Sequence, residues 1–364
     1  MQIGIIGLAT SGKTTVFNAL THGRAATSIS GGDKDPNRGV ALVPDDRIDY
    51  LAKMFEPKKV TYATVEFTDV AGLTKGAGDK GFSNRFLGHL RDMEALLIVI
   101  RVFHSESVPH PEGDINPARD LETVIPELCL ADMAIIENRL RRIEESWIKQ
   151  PNKRKELEKE RESLRRFQET LESDRPIIAA EPSKEEVDLY IRPYGLLSGK
   201  QMLTLANVSD ATNEMEKKGV EELTAACQRW NTPLVIMNAQ LEQDLLDFPV
   251  EEWDDYFSAS GIEGPAKGKV IQESYRILKQ HSFLTFGPDE VRAWTIPLET
   301  KAQLAAGKIH SDIERGFIRA EVVSFDDFKH FGSVEAAKKE GRFRLEGKDY
   351  VVQDGDMITF RFSV

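Results

Sequence analysis

Apolar residues gather along the chain in runs of strand length at Ile3–Ile6, Ala63–Phe67, Leu96–Val102, Met202–Ala206 and Leu234–Met237. Between several of them the apolar positions recur at helical intervals. That alternation predicts a mostly parallel sheet with crossover helices. Two polar stretches punctuate it. The glycine-rich segment from Gly23 to Gly39 predicts a long flexible loop, and so does His104 to Asp120, where Pro109, Pro111 and Pro117 break regular structure.

After Leu121 the pattern changes. Ile136, Leu140, Ile143 and Trp147 follow one another at four-three-four spacing, Gln150-Pro151-Asn152 interrupts, and Leu157, Leu164, Phe167 and Leu171 resume the periodicity. Two amphipathic helices joined by a short turn predict an antiparallel hairpin, inserted because sheet-forming segments lie on both sides of it. Between Arg139 and Arg166 eleven Lys or Arg accompany six Glu. This local excess fits a solvated coiled-coil face laced with ion pairs, or an electrostatic docking surface for RNA. From His281 short strands are expected at Leu284–Phe286, Val291–Ile296, Phe317–Val323, Tyr350–Val352 and Met357–Phe362, around helical pieces at Lys301–Ala306 and Val334–Lys339. They predict a small α+β module.

The first strand runs straight into Gly7-Leu8-Ala9-Thr10-Ser11-Gly12-Lys13-Thr14-Thr15, a G-x-x-x-x-G-K-[ST] phosphate loop opening an amphipathic helix. Its glycines let successive backbone N–H groups close on a phosphate, and the helix N-terminus adds partial positive charge. Lys13 is expected to reach the β- and γ-phosphates and the Thr14 hydroxyl to sit on Mg²⁺. Asp69-Val70-Ala71-Gly72 ends the next strand: Asp69 is placed to hold Mg²⁺ through its water, and the Gly72 N–H to sense the γ-phosphate. Thr74 to Gly81 is spaced with glycines like a switch loop. Base recognition is expected where the strand Leu203–Ala206 ends in Asn207-Val208-Ser209-Asp210: Asn207 bracing the phosphate loop, Asp210 offering a carboxylate to a purine, and Val208 standing where typical GTPases carry lysine. A helix N-cap is the other reading of that segment. Asn238 and Ala239, directly after the last strand of the series, are assigned to the nucleotide site as well.

Composition narrows the classes. At 364 residues the chain has room for two or three domains, and a net charge of -12 argues against a protein that simply coats nucleic acid, though not against one basic face. Cys129 and Cys227 lie too far apart for a metal-ligand spacing and read as buried apolar filler. The longest apolar stretch, Ala95 to Val102, already contains Arg101 and is too short to cross a bilayer. With no leader pattern before the first strand, a cytoplasmic protein without membrane contact is expected.

Taken with Phe82-Ser83-Asn84-Arg85-Phe86-Leu87, Ile115-Asn116-Pro117, Val291-Arg292-Ala293-Trp294-Thr295-Ile296, Gly316 to Val322 and Gly347 to Asp356, these motifs resemble the YchF/Obg-like ATPase family over nearly the whole chain. The resemblance implies a Ras-like P-loop NTPase domain of α/β class at 1–120 and 199–280. It also implies an inserted antiparallel coiled-coil domain at 121–198, a C-terminal β-grasp (ubiquitin-like) TGS domain at 281–364, and association with ribosomes. That family accepts ATP, often in preference to GTP, through a motif ending in Glu. Asp210 stands at that place here and leans toward GTP, so the base stays open between ATP and GTP.

Two further departures concern catalysis. Ser28 to Asp35, before Pro36-Asn37, lacks the threonine of the family's first switch, leaving Asp33 or Ser30 as candidate Mg²⁺ ligands. Leu73 follows Gly72 where Ras-like enzymes carry the water-orienting glutamine, and the family shares this replacement. His110 matches a loop histidine of the family and is the candidate to orient or deprotonate water, with His89 a weaker rival. The expected function is a slow, Mg²⁺-dependent, ribosome-associated nucleoside triphosphatase switch acting in translation or stress regulation. Its competitor is a nucleotide-gated module that binds RNA or ribosomes and does not need hydrolysis. A P-loop small-molecule kinase is disfavoured, because nothing after Asp69 supplies an arginine-rich lid.

Overall fold

The computed structural model describes residues 1–21, 36–70, 84–209, 213–249, 252–262 and 264–363. They form two compact units, one of Met1–Ala41 with Glu66–Val270, the other of Leu42–Val65 with Ile271–Val364. The strands, in chain order, are β1 (Gln2–Ile6), β2 (Asn37–Leu42), β3 (Lys59–Thr61), β4 (Thr64–Asp69), β5 (Ala95–Arg101), β6 (Gln201–Asn207), β7 (Leu234–Met237), β8 (Gln280–Thr285), β9 (Glu290–Pro297), β10 (Phe317–Ser324), β11 (Arg344–Glu346) and β12 (Asp356–Phe362).

The first unit is built on a six-stranded sheet in the order β2-β4-β1-β5-β6-β7. β1 runs parallel to β4 and β5, and β5 to β6 and β6 to β7 likewise. Strands buried on both faces read as continuous apolar runs, which is why β5 is buried at every position. Helices α1 (Lys13–Thr21) and α3 (Asn84–Arg91) belong to this unit. The hairpin is also part of it: α4 (Pro117–Lys149), a turn of 3-10 helix at Pro151–Lys153, and α5 (Arg154–Glu172). The P-loop α/β fold with its helical insertion is therefore present.

The insertion, however, has no separate core. Leu121, Val124, Ile125 and Leu128 of α4 share one apolar cluster with Leu96, Ile98 and Ile100 of β5, and the cluster continues to Leu164 and Phe167 of α5. Buried polar groups stitch the base. Asp132 accepts hydrogen bonds from the backbone N–H groups of Leu197 (2.8 Å) and Ser198 (2.6 Å) and from Ser198 Oγ (2.6 Å). Burial raises the Asp132 carboxyl to about 6. Midway along the hairpin, Arg139 Nε and Nη2 grip the two oxygens of Glu160, which is nine-tenths buried.

The second unit carries a six-stranded mixed sheet in the order β11-β10-β12-β8-β9-β3. β10 is antiparallel to β11 and β12, β8 is antiparallel to β9, and β12 and β8 run parallel. The helix Ala302–Ile309 lays Ala302, Ala305 and Ala306 on Phe283, Ile296 and Ile358 of this sheet.

Four expectations need correction. Residues 42–65, read as part of the nucleotide domain, belong to the second unit: helix α2 (Asp46–Phe55) precedes β3, which pairs in parallel with β9. Backbone pairing over that sequence separation leaves no local signal. Asn37–Gly39, read as the end of the long loop, instead opens the edge strand Asn37–Leu42, with Val40 and Leu42 exposed, while residues 22–35 lie outside the described residues. Pro117 opens α4 instead of breaking structure. It takes the first helical position, where no N–H is needed, and Asn116 caps the helix by accepting from the Arg119 N–H. Tyr350–Val352 is not a strand; only Val351 makes an isolated bridge, to Lys301.

Candidate functional site

Three strand ends converge on the phosphate loop. β1 delivers Gly7, whose φ of +151° and whose missing Cβ are both required, because a Cβ there would stand 2.3 Å from the Val99 carbonyl oxygen. Gly12, at φ +90°, is held against β6: a Cβ would meet Asn207 Nδ2 at 2.2 Å. Thr10 between them also takes a positive φ, of 61°. Asn207 braces the loop as expected. Its Nδ2 donates to the Ser11 carbonyl (3.1 Å), and its Oδ1 accepts from the Ala239 N–H (3.3 Å).

Lys13 opens α1 and is buried, its ammonium donating to the Gly7 and Leu8 carbonyls at 3.0 and 2.7 Å. Burial lowers its pKa to about 8, with the Asp69 charge acting in the opposite direction. Next to it the Thr14 hydroxyl donates to Asp69 Oδ2 at 2.8 Å. Parallel pairing makes this contact, because the β1–β4 register sets Ile5 beside Asp69 and brings the carboxylate to the loop that follows β1. Thr15 lies half-buried on α1, and Ala9 lies in the turn before it. Ser11 Oγ is buried and has no hydrogen-bond partner among the described residues, a donor left for a ligand of the loop.

A hard divalent cation fits this donor set. Thr14 supplies a hydroxyl and Asp69 a carboxylate, and among the described residues no group of three or more His, Cys, Asp or Glu competes as a cage. An ion completed by phosphate oxygens and water needs no more than these two protein groups.

At the other end, the Val208 N–H donates to the Met237 carbonyl (3.0 Å), and the Val208 side chain is buried. Asn238 caps the helix Ala239–Asp244 by accepting from the Leu241 N–H, and its Nδ2 donates to the Ser209 carbonyl at 2.7 Å. Asn207, Val208, Asn238 and Ala239 are thus brought together. Gly72, the switch segment with Leu73, and Asp210 lie outside the described residues.

His110 does not stand free over the phosphate loop. Its Nε2 pairs with Asp120 Oδ2 at 2.9 Å, both side chains nearly sealed from solvent, and its Nδ1 accepts from the Glu112 N–H at 3.2 Å. An accepting Nδ1 places the ring proton on Nε2, facing Asp120. Burial raises the Asp120 carboxyl, against the attraction of His110 and Arg119. The loop reaches the phosphate loop through backbone instead, with Thr10 Oγ1 donating to the Pro109 carbonyl at 3.4 Å. His89 is half-buried on α3.

Sequence reading missed Arg101. It is fully buried at the end of β5, where it donates to the Phe103 and Val108 carbonyls (3.2 and 2.8 Å) and to Thr10 Oγ1 (3.4 Å) and lies over the Phe103 ring. Burial lowers its pKa. The signal was available, since a lone cation in the longest apolar run needs partners that the run cannot supply.

A family model described as "50S ribosome-binding GTPase" matches residues 2–139, and the YchF GTPase C-terminal model, described as a protein of unknown function, matches residues 280–363. The "Ribosome-binding ATPase YchF" of Bacillus subtilis is 38% identical over 100% of both chains. The chain belongs to the YchF family. The "Ribosome-binding ATPase YchF" of Escherichia coli is 37% identical over 100% of this chain and 99% of that protein, and the "Obg-like ATPase 1" of Oryza sativa subsp. japonica is 36% identical over 100% and 92%. Among solved structures, the Schizosaccharomyces pombe YchF GTPase superposes with a TM-score of 0.86 at 30% identity, covering 99% of this chain and 97% of that one. A YchF chain therefore carries the part-buried Thr14–Asp69 contact and the Asn207 brace at its phosphate loop.

Proposed function

We propose that this chain is a ribosome-associated nucleoside triphosphatase switch in translation, hydrolysing ATP, GTP or both slowly to the diphosphate. The observation that carries the reading is the Thr14–Asp69 contact beside the buried Lys13, in a chain whose relatives are named ribosome-binding ATPases. The loop amides and Lys13 hold the β- and γ-phosphoryl groups, the ammonium exchanging the Gly7 and Leu8 carbonyls for phosphate oxygens. The Thr14 hydroxyl and, through water, the Asp69 carboxylate would hold a Mg²⁺ ion, which would supply positive charge against the phosphoryl oxygens. Water adds at the γ-phosphorus and the bond to the β-phosphoryl oxygen breaks.

His110 is assigned to that water. Its ring must leave Asp120 for this, so hydrolysis is limited by a rearrangement of the loop around Pro109. His110→Gln is expected to lower single-turnover hydrolysis by ~10² or more while nucleotide affinity stays within twofold. An unchanged rate removes His110 from the reaction.

The ribosomal partner is assigned to the hairpin tip. Ile148 is 80% exposed, and the guanidinium groups of Arg154 and Arg161 lie over the Trp147 ring at 5.8 and 5.0 Å. A basic surface with an aromatic ring suits phosphates and unstacked bases of structured RNA. The decisive experiment compares single-turnover hydrolysis and co-sedimentation with and without ribosomes, using wild type and Lys153→Glu/Arg154→Glu. Ribosome-stimulated turnover that is lost in the charge-reversed variant supports the reading; equal and fast rates throughout overturn it.

A further inference from the structure

Burying a guanidinium is costly, and a buried one is ordinarily answered by a carboxylate. Arg101 is 2% exposed, yet among the described residues its three nitrogens donate only to neutral oxygens. Nε meets the Phe103 carbonyl at 3.2 Å, Nη2 the Val108 carbonyl at 2.8 Å and Nη1 the Thr10 hydroxyl at 3.4 Å. The carboxylate whose charge reaches it, Asp120, is already engaged by His110 at 2.9 Å and by Arg119 at 3.1 Å. Burial outweighs that attraction and lowers the Arg101 pKa. The end of β5 thus holds a cation without a countercharge of its own.

Such a charge is not there to stabilise the sheet. β5 is apolar up to Arg101 and buried at every position, and an apolar side chain of similar volume would fill the place at less cost. What distinguishes the place is its neighbour. Thr10, which accepts from Nη1, lies between Gly7 and Gly12 in the loop built to close on phosphate. Its φ of 61° is one that a β-branched residue rarely adopts, and such strain persists only where the surroundings hold it. Its hydroxyl is held twice, accepting from Arg101 and donating to the Pro109 carbonyl at 3.4 Å. The cation therefore stands behind the phosphate loop, one side chain away from it. Charges act on one another more strongly through a protein interior than through water.

We propose that Arg101 is a positioning residue for the nucleotide polyphosphate: fixed behind Thr10, it holds the phosphate loop in its strained shape and presents a positive charge that the bound phosphates complete without touching it. The inference rests on the reading that this loop holds a nucleoside triphosphate. Arg101 differs in this from Lys13, which exchanges its carbonyl partners for phosphate oxygens directly. A charge acting at a distance favours the ligand with more negative charge, so it favours triphosphate over diphosphate.

The test measures dissociation constants of the full chain for ATP, ADP, GTP and GDP at fixed Mg²⁺ in wild type, Arg101→Met, Arg101→Gln, Arg101→Lys and Lys13→Ala. Both neutral variants remove the charge, and Arg101→Gln keeps an amide donor for the loop carbonyls, so it carries the test should Arg101→Met not fold. Arg101→Lys keeps the charge and gives up the three-way fork. The neutral variants are expected to bind the triphosphates about tenfold more weakly and the diphosphates no more than about threefold, with Arg101→Lys within about threefold of wild type for all four. Affinities unchanged in the neutral variants overturn the proposal. Equal loss for triphosphate and diphosphate overturns it too, because it marks a structural role. Lys13→Ala separates the two layers. If it weakens binding and the Arg101 variants do not, the phosphate loop holds the nucleotide and only the role of Arg101 falls; if neither weakens binding, the reading of the loop falls with it.

Discussion

Gly12→Ala tests why the phosphate loop needs glycine next to its lysine. The backbone at Gly12 has φ +90°, and an alanine Cβ would stand 2.2 Å from Asn207 Nδ2. An alanine forced into a positive-φ conformation is strained by ~1–3 kcal/mol. Relieving the clash requires Asn207 to move, which breaks its bonds to the Ser11 carbonyl and from the Ala239 N–H. Asn207 is 4% exposed, so its amide and the groups left behind lose partners that water does not replace, a further ~1–3 kcal/mol. The single substitution therefore disturbs the loop by ~2–6 kcal/mol, seen as at least tenfold weaker nucleotide binding. Asn207→Ala alone removes the brace and the obstacle together. In that background Gly12→Ala retains only the backbone strain, so a double-mutant cycle should show a coupling of ~1–3 kcal/mol. The assay is equilibrium titration with a labelled nucleotide at fixed Mg²⁺ for the four proteins, with thermal unfolding as a check on folding. A coupling below ~0.5 kcal/mol would refute the reasoning, because it would show that the Asn207 contact is not what excludes a side chain at position 12.

Thr14→Val keeps the shape and deletes the hydroxyl that meets Asp69, so nucleotide binding should lose most of its dependence on added Mg²⁺; an unchanged Mg²⁺ titration would place the cation elsewhere. Asp132 predicts a pH dependence. Its folded pKa is raised to about 6 from 3.8, so its contribution to stability is complete below the unfolded value and is lost as pH rises through 6. Relative to Asp132→Asn, which does not titrate, wild type should lose up to ~3 kcal/mol between pH 4 and pH 7.5 in urea unfolding, and a flat difference would contradict the burial argument. Glu242, raised to about 7 by burial while it accepts the Ala266 and Lys267 N–H groups, predicts a second loss centred one pH unit higher, absent in Glu242→Gln.

Five of the six strands of the first sheet and the hairpin were legible because apolar runs and a four-three-four periodicity are local properties of sequence. The phosphate loop was legible for a different reason: glycine is required at Gly7 and Gly12 by the close approach of the Val99 carbonyl and Asn207, and such requirements leave a spacing that can be read. What stayed hidden is of one kind. Arg101, Asp120, Asp132, Glu160 and Glu216 are all buried charges, yet each sits in a segment where a charged residue reads as ordinary surface or as the end of a run. For Arg101, Asp132 and Glu160 some of the partners lie far along the chain. Ser198 lies 66 residues from Asp132 and Thr10 lies 91 residues from Arg101, and no periodicity encodes such a pair. The same reasoning accounts for residues 42–65, which join the second unit through β3 pairing with β9. It also changes how His110 is read. A histidine among prolines looks free in sequence, but Asp120 supplies it a partner from the first turn of α4, so the residue best placed by family likeness to act on water is the one most firmly held. On the proposed role of His110, its buried hydrogen bond to Asp120 must open before the ring can meet water. The proposal therefore attributes slow intrinsic hydrolysis to this contact as well as to the leucine at position 73.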